Sequence, residues 1–344
     1  MKYVHTLILL CLCLASFAGS AQTRTPLYVA AALDRPVVEP LLAAFTSAYP
    51  DIDLRYRDYS TLEVDRLARE AAPAPDVIIS SAMPWQMARV NEGLAQRFDS
   101  EMARKWPDWA KWRNEVFGFT FEPVVIAYRL DLARHMMPPQ THADLDTLLK
   151  TYPELLHGRI TTYSPSGSGI GYTLFQQDAR YSPRFWDLVA AMGAAQVRLE
   201  NNTRAMLEGI SRGDYWMGYN LLGSYAMHWA RSHPELIVQI PQDYTLVMMR
   251  MAFIHRDAPH PDAARAFMNF LLSEQGQKTL AGNTPLFSVL PDVVGPYTAQ
   301  RLRDQVGELL YPIPLDASLL AFVDPMRRRA FMTRWQREIR ILSP

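Results

Sequence analysis

The sequence is short of cysteine. Its two cysteines, Cys11 and Cys13, both lie within the first 21 of 344 residues. Their position leaves the rest of the chain without thiol nucleophiles, zinc–cysteine sites or iron–sulfur clusters. An exported chain of this size does not need disulfide bonds, because its hydrophobic core is large enough to hold the fold.

The sequence also lacks net charge and long apolar runs. Thirty-five basic residues balance 35 acidic ones, which argues against nucleic acid as a partner, because nucleic-acid-binding domains are normally basic. No stretch beyond the first 21 residues reaches the roughly 18 apolar residues of a membrane-spanning helix. Histidine pairs with zinc-protease spacing are missing as well. The sequence also shows no recognisable nucleophile, general base and orienting group that occur together as a catalytic set. We therefore expect no catalytic site, metal or cofactor, and rank an exported hydrolase last.

The N-terminus has the three parts of a secretory signal peptide. Lys2 lies in a short polar start, an apolar run covers residues 7–17, and the small residues Gly19 and Ala21 stand at positions −3 and −1 of a cleavage site. The apolar run is too short for a transmembrane helix. The sequence thus predicts a signal peptide over 1–21 and a soluble periplasmic protein.

The remaining chain has the composition of a globular α/β protein. Hydrophobic residues make up 49% of the sequence and charged residues 20%, and a chain of this length favours two lobes over one core. Apolar runs alternate with helical patterns between residues 27 and 90, which predicts a parallel sheet covered on both faces. Two long apolar segments, 117–128 and 244–254, are interpreted as crossings between lobes.

These crossings give the predicted domain boundaries. We expect a discontinuous first lobe, a second lobe inserted into it, and a helical C-terminal segment that carries a basic face. Their ranges are 22–122 with 250–300, then 123–249, then 301–344.

A turn rich in glycine and hydroxyl groups is the most informative local segment. Ser166, Gly167 and Ser168 follow a predicted strand and precede a helical pattern. The backbone N–H groups of such a turn and the positive end of the helix dipole favour an anion. The alternative is a flexible turn whose serines cap the helix, and we favour ligand binding over it.

Other candidate ligand contacts lie in turns with the same placement, after a strand and before a helix. Ligands of open α/β sheets lie beyond the carboxyl ends of the strands, although each polar side chain there can equally cap a helix. Arg35 and Arg204 are the cations best placed to neutralise an anion. The other candidates are Asp34, Ser80, Ser81, Asn220 and Tyr225.

Several segments of the chain resemble a known protein family. Residues 260–277, with 76–82, 164–172 and 208–225, resemble in order and spacing the family 1 extracellular solute-binding proteins of ABC transporters. The similarity is to the branch that contains iron(III)-binding and phosphorylated-solute-binding members. It implies the type 2 periplasmic binding protein fold, with two α/β lobes joined by two β-crossings that act as a hinge around a ligand in the cleft.

The resemblance also bears on the ligand. Iron-binding members place adjacent tyrosines where this chain has residues 220–225. This chain has no adjacent pair there, and only the single tyrosines Tyr219 and Tyr225 lie in or next to that stretch. A ferric ion wants several anionic oxygen ligands, whereas Arg204 and the hydroxyl-rich turns suit a phosphorylated or carboxylated organic anion. We therefore expect capture of such an anion for a membrane permease, without chemistry.

Two alternatives remain open. Arg204 in its turn also resembles periplasmic phosphoglycerate-sensing regulatory proteins, so the chain is alternatively a sensory accessory that presents its ligand state to a two-component histidine kinase. Ferric iron binding is the second alternative.

Overall fold

The computed structural model describes residues 24–340, and the predicted signal peptide lies outside the described residues. The strands are β1 Thr25–Ala31, β2 Ile52–Asp58, β3 Val77–Ser80, β4 Lys111–Trp112, β5 Val116–Gly118, β6 Glu122–Arg129, β7 Ile160–Tyr163, β8 Arg198–Glu200, β9 Met217–Leu222, β10 Leu236–Gln239, β11 Thr245–Met248, β12 Met251–Ile254 and β13 Leu310–Pro312.

The α-helices alternate with these strands over most of the chain. They are α1 Arg35–Ala48, α2 Thr61–Glu70, α3 Met83–Asn91, α4 Glu101–Lys105, α5 His142–Thr151, α6 Gly169–Tyr181, α7 Phe185–Ala194, α8 Thr203–Arg212, α9 Gly223–Ala230, α10 Pro261–Leu272, α11 Glu274–Asn283, α12 Ala299–Val306 and α13 Pro325–Ile339. Within residues 24–340, none of the helices is long and apolar enough to span a membrane.

The first lobe is built on a six-stranded sheet of order β2-β1-β3-β12-β5-β4. Its first three strands are parallel, which confirms the predicted β-α-β-α-β unit. Val29, Ala30 and Ala31 are fully buried, because helices cover both faces of such strands and leave no solvated side. Strands β12, β5 and β4 add an antiparallel half.

The two predicted crossings are confirmed. Strand β5 lies in the first sheet and β6 in the second, while β11 lies in the second and β12 returns to the first. Between β11 and β12 only Met249 and Arg250 make the passage. The fold is therefore the two-lobed type 2 periplasmic binding protein fold, and the limits of the lobes given above stay a prediction.

The second lobe holds the seven-stranded sheet, of order β13-β11-β6-β9-β7-β8 with β10 paired to β6. The C-terminal segment is helical at α13, which packs on this lobe by placing Trp335 against the Phe175 ring at 4.4 Å between centroids. It also supplies a strand that the sequence did not reveal, since β13 runs parallel to β11. A strand of three residues is too short to leave a recognisable period.

The two lobes touch across the cleft between them. The backbone N–H of Gly169 donates to the Thr61 hydroxyl at 3.0 Å, and the rings of Trp85 and Tyr172 meet edge to face at 5.4 Å. Arg328 of helix α13 stacks over both rings, at 5.5 Å and 5.7 Å. The C-terminal helix thus contacts both sides of the junction.

Candidate functional site

A cavity of about 370 Å³ lies between the lobes. The first lobe contributes the ends of β1 and β2 and the start of α2, and the second lobe contributes the segment that begins α8. Its polar lining residues are Asp34, Asp58, Tyr59, Ser60, Thr61, Glu63, Asn201, Asn202, Thr203, Arg204, Tyr225 and Arg250.

The sheet topology explains this position. Strands β1 and β2 are parallel, with Ala31 opposite Asp58 at their carboxyl ends. Loops that leave the carboxyl ends of parallel strands converge at one edge of the sheet, which is where open α/β proteins bind ligands. Polar side chains from consecutive loops therefore face the same cavity.

Arg250 is the charged centre of the cavity. Its side chain is 2% exposed, its Nε pairs with Glu122 Oε1 at 2.7 Å, and its Nη1 donates to the Ala32 carbonyl at 2.7 Å. Its Nη2 has no hydrogen-bond partner among the described residues. A buried donor without a partner is costly, and a ligand acceptor that reached this nitrogen would satisfy it.

Arg250 was missed by the sequence analysis, which treated 244–254 as an apolar crossing. A usable signal was present, because a lone charge between Met249 and Met251 cannot be buried in an apolar strand without a partner. The partner is Glu122, which is fully buried and also accepts hydrogen bonds from Thr120 and Ser224. Nothing in the sequence links these positions.

Asp34 faces the cavity instead of capping its helix. It occupies the N-cap position of α1 but makes no side-chain capping bond, while its backbone N–H donates to the Tyr225 hydroxyl at 3.2 Å. Burial raises the pKa of the Asp34 carboxyl, and Arg250 and Arg204 oppose part of that rise. Its carboxylate is thus desolvated in part and near two cations.

Arg204 lies at the mouth of the cavity, on the second lobe. Its side chain is 56% exposed and its Nε pairs with Glu208 at 2.9 Å, an exposed pair that contributes little stability. Asn202 caps the same helix by accepting from the Ala205 N–H at 2.8 Å. Arg204 can therefore turn toward a bound anion without loss to the fold.

Three predicted ligand contacts line the cavity, namely Asp34, Arg204 and Tyr225. Burial raises the pKa of Tyr225 to about 12, against the opposing effect of Arg250, so its hydroxyl stays protonated at neutral pH. The Arg250 guanidinium lies 5.3 Å from the centre of the Tyr225 ring. Asp34, Tyr225 and Arg250 therefore form one polar cluster in the buried part of the cavity.

Arg35 lies outside the interlobe cavity. It is exposed, pairs with Glu39 at 2.8 Å, and opens to a separate cavity that contains Arg24. Successive residues of a helix point about 100° apart, so Asp34 at the cap faces the interlobe cavity while Arg35 at the next position faces away. Arg250, and not Arg35, lines the interlobe cavity.

The placement of Arg35 outside the cavity has a direct test. Arg35→Ala is expected to leave ligand affinity and stability nearly unchanged, within about 0.5 kcal/mol, because the residue is exposed and outside the cavity. Isothermal titration calorimetry and thermal unfolding measure both quantities. A tenfold loss of affinity in this variant would return Arg35 to the site.

In the serine-rich turn, the polar groups bond to one another. Ser168 caps α6 by accepting from the Gly171 N–H at 3.3 Å, and Ser166 is hydrogen-bonded to Ser164 at 3.0 Å. Gly167 packs so closely on Asn201 that a Cβ there would come within 2.0 Å of its Oδ1. The turn supports the cavity wall rather than lining it.

Ser80, Ser81 and Asn220 are buried outside the cavity. Ser80 accepts from the Ala82 N–H at 3.2 Å, and the Ser81 side chain is fully buried. Asn220 has a positive φ of 64°, and its amide donates to Asp178 at 2.7 Å, a carboxylate in the second lobe's interior. Ser80 and Asn220 thus make structural hydrogen bonds in this conformation, while the buried Ser81 hydroxyl has no hydrogen-bond partner among the described residues.

Comparison with known proteins decides the family. The model of the bacterial extracellular solute-binding protein family matches residues 26–283. The chain belongs to this family. No functionally curated protein matches the sequence.

Solved structures agree with membership of the solute-binding family. The substrate-binding protein of an ABC transporter from Agrobacterium tumefaciens is 35% identical with a TM-score of 0.88, and the alignment covers 92% of this chain and 96% of that one. This solute-binding protein is accordingly the binding component of an ABC transporter, and such components work with a membrane permease.

More distant structures share the fold. AfuA of Actinobacillus pleuropneumoniae, with exogenous fructose-6-phosphate bound, is 15% identical with a TM-score of 0.73, covering 93% of this chain and 99% of that one. The apo ferric ion-binding protein A of Pasteurella haemolytica is 18% identical with a TM-score of 0.69, covering 92% and 98%. At these identities the solute-binding proteins are alike in fold alone.

Proposed function

We propose that this solute-binding protein captures a small organic anion, phosphorylated or carboxylated, in the interlobe cavity and presents it to its permease in the periplasm. The observation that carries the proposal is Arg250, a buried guanidinium whose Nη2 has no partner among the described residues. A guanidinium fork matches the oxygens of a phosphate or carboxylate. The protein binds and releases this solute unchanged.

The second cation supports the same ligand. Arg204 reaches the cavity from the second lobe, next to the N-terminal end of α8, where the helix dipole favours negative charge. An anion held by Arg250 at the crossing and Arg204 on the second lobe contacts both sides of the cleft. Such bridging contacts stabilise the closed arrangement of the lobes, since they are made in that state only.

Ferric iron fits the cavity less well. Of the two tyrosines near the position of the iron-binding pair, Tyr219 is buried in the second lobe and donates its hydroxyl to Asp178 at 2.8 Å. Tyr225 lines the cavity, but its raised pKa disfavours the phenolate that iron requires. The other tyrosine of the lining, Tyr59, is hydrogen-bonded to Tyr28. The bound sugar phosphate of AfuA is the kind of ligand that the arginines favour.

Titration calorimetry with a panel of phosphorylated and carboxylated compounds tests the proposal. Arg204→Ala is expected to weaken the affinity of the compounds that bind by about tenfold, which corresponds to ~1.4 kcal/mol, because a charge-assisted hydrogen bond is lost. The fold stays intact, since the side chain is exposed.

The matched control is Arg212→Ala on the same helix. Arg212 is similarly exposed at 63% and pairs with Asp214, outside the cavity. We expect wild-type affinity from it. Equal affinity in both variants, or binding of ferric ion with no response to organic anions, would contradict the proposal.

A further inference from the structure

The cavity is richer in negative than in positive side chains. Three carboxylates line it, Asp34, Asp58 and Glu63, against the two guanidinium groups of Arg204 and Arg250. Arg250 is in addition paired with the buried Glu122. Water screens the exposed Asp58 and Glu63 in part, but a cationic group on the ligand, besides its anionic group, would offset the negative charge of this lining.

The three carboxylates differ in the hydrogen bonds that they accept. Glu63 accepts the Ser60 backbone N–H at 2.8 Å in a capping box, and Asp58 accepts the Arg35 N–H at 3.4 Å. The Asp34 carboxylate accepts no hydrogen bond and forms no ion pair with the described residues. Asp34 is the one of these three whose two carboxylate oxygens both lack a partner among the described residues.

Asp34 and the free nitrogen of Arg250 make two opposite poles in one cavity. We infer that the ligand is dipolar: its anionic group binds Arg250 and Arg204, and an ammonium group binds Asp34. This inference rests on the proposed function, and it narrows the ligand class from organic anions to amino-bearing phosphates or amino acids.

An ammonium group fits Asp34 better than a hydroxyl does. Both donate a hydrogen bond, but only the ammonium offsets the excess negative charge of the lining. Burial is the main cause of the raised pKa of the Asp34 carboxyl, and Arg250 and Arg204 favour its ionised form more than Asp58 and Glu208 oppose it. An ammonium group in hydrogen-bonding contact would stabilise this partly desolvated carboxylate.

Phosphoserine and 3-phosphoglycerate form a matched pair for the test. They share the phosphate, the carboxylate and the carbon skeleton, and differ in an ammonium group in place of a hydroxyl. We expect the wild-type protein to bind phosphoserine at least about tenfold more tightly, the size of one charge-assisted contact. Asp34→Asn should reduce that preference to near unity while it retains binding of 3-phosphoglycerate.

Asp51→Asn is the control, because Asp51 is an exposed carboxylate on the same lobe and does not line the cavity. It should keep the wild-type preference. If 3-phosphoglycerate bound as tightly as phosphoserine or more tightly, and this binding were weakened by Arg204→Ala, the inference of a dipolar ligand would be overturned. The proposal that the ligand is an organic anion would then still stand.

Two further outcomes would each overturn a proposal. Binding of putrescine or ferric ion, with no response to either phosphate, would overturn both proposals. A preference for phosphoserine that survives Asp34→Asn would overturn the assignment of Asp34 as the ammonium site, because the discrimination would then arise elsewhere.

Discussion

Arg250→Met is expected to abolish ligand binding and to lower the free energy of unfolding by roughly 3–5 kcal/mol. The variant removes the central guanidinium of the cavity and leaves Glu122 buried without its ion-pair partner. It also removes the hydrogen bond from Nη1 to the Ala32 carbonyl. Urea denaturation measures the stability, and titration with the tightest-binding compound of the anion panel measures the binding.

A double variant separates the two effects. Glu122→Gln in the Arg250→Met background removes the stranded charge while leaving a side chain of similar size. Much of the lost stability should return, because the penalty lies mainly in the unpaired buried carboxylate. Binding should not return, since the guanidinium is still missing. Wild-type affinity in either variant would show that Arg250 does not hold the ligand.

Gly169→Val is expected to weaken ligand affinity by about 10- to 100-fold, since overpacking typically costs ~1–3 kcal/mol. A Cβ at Gly169 would lie 2.8 Å from the Ala82 Cβ and 3.2 Å from the Thr61 hydroxyl, and both of these residues belong to the first lobe. The added side chain therefore obstructs the contact between lobes rather than the interior of either lobe. Small-angle scattering should show a larger radius of gyration for the variant with ligand present.

The control for this variant is Gly282→Ala, which lies in helix α11 with nothing within 4 Å of its Cβ position. Alanine is preferred over glycine in helices, so stability should be unchanged or slightly raised, and affinity should be that of the wild type. An unaltered affinity in Gly169→Val would mean that closure at this contact does not contribute to binding.

Much of the fold was predictable because it follows from local patterns. Strand β1 and helix α1 show in the sequence as an apolar run followed by helical spacing at Val38, Leu41, Leu42 and Phe45, all of which are buried. The two crossings were visible as long apolar segments. The apolar stripe of Phe331, Trp335 and Ile339 indicated that α13 packs on a lobe. The short strand β13, and the choice of the second lobe for α13, depend on distant partners that leave no local pattern.

The site was less predictable, for two physical reasons. Capping and ligand binding use the same residue types at the same positions, so Ser168 as a cap and Asp34 as a cavity residue look alike in the sequence. The buried pair of Arg250 and Glu122 joins positions far apart in the chain. The family resemblance located the cleft but did not say which side chains face it.

A crystal structure with the tightest-binding phosphorylated compound of the panel tests the central claim most directly. We predict the phosphate oxygens within hydrogen-bonding distance of Arg250 Nη2 and of the Arg204 guanidinium, with the lobes in contact at Gly169. A phosphate bound at the serine-rich turn, in the separate cavity beside Arg35, or anywhere that leaves Arg250 Nη2 without a ligand contact would contradict the account.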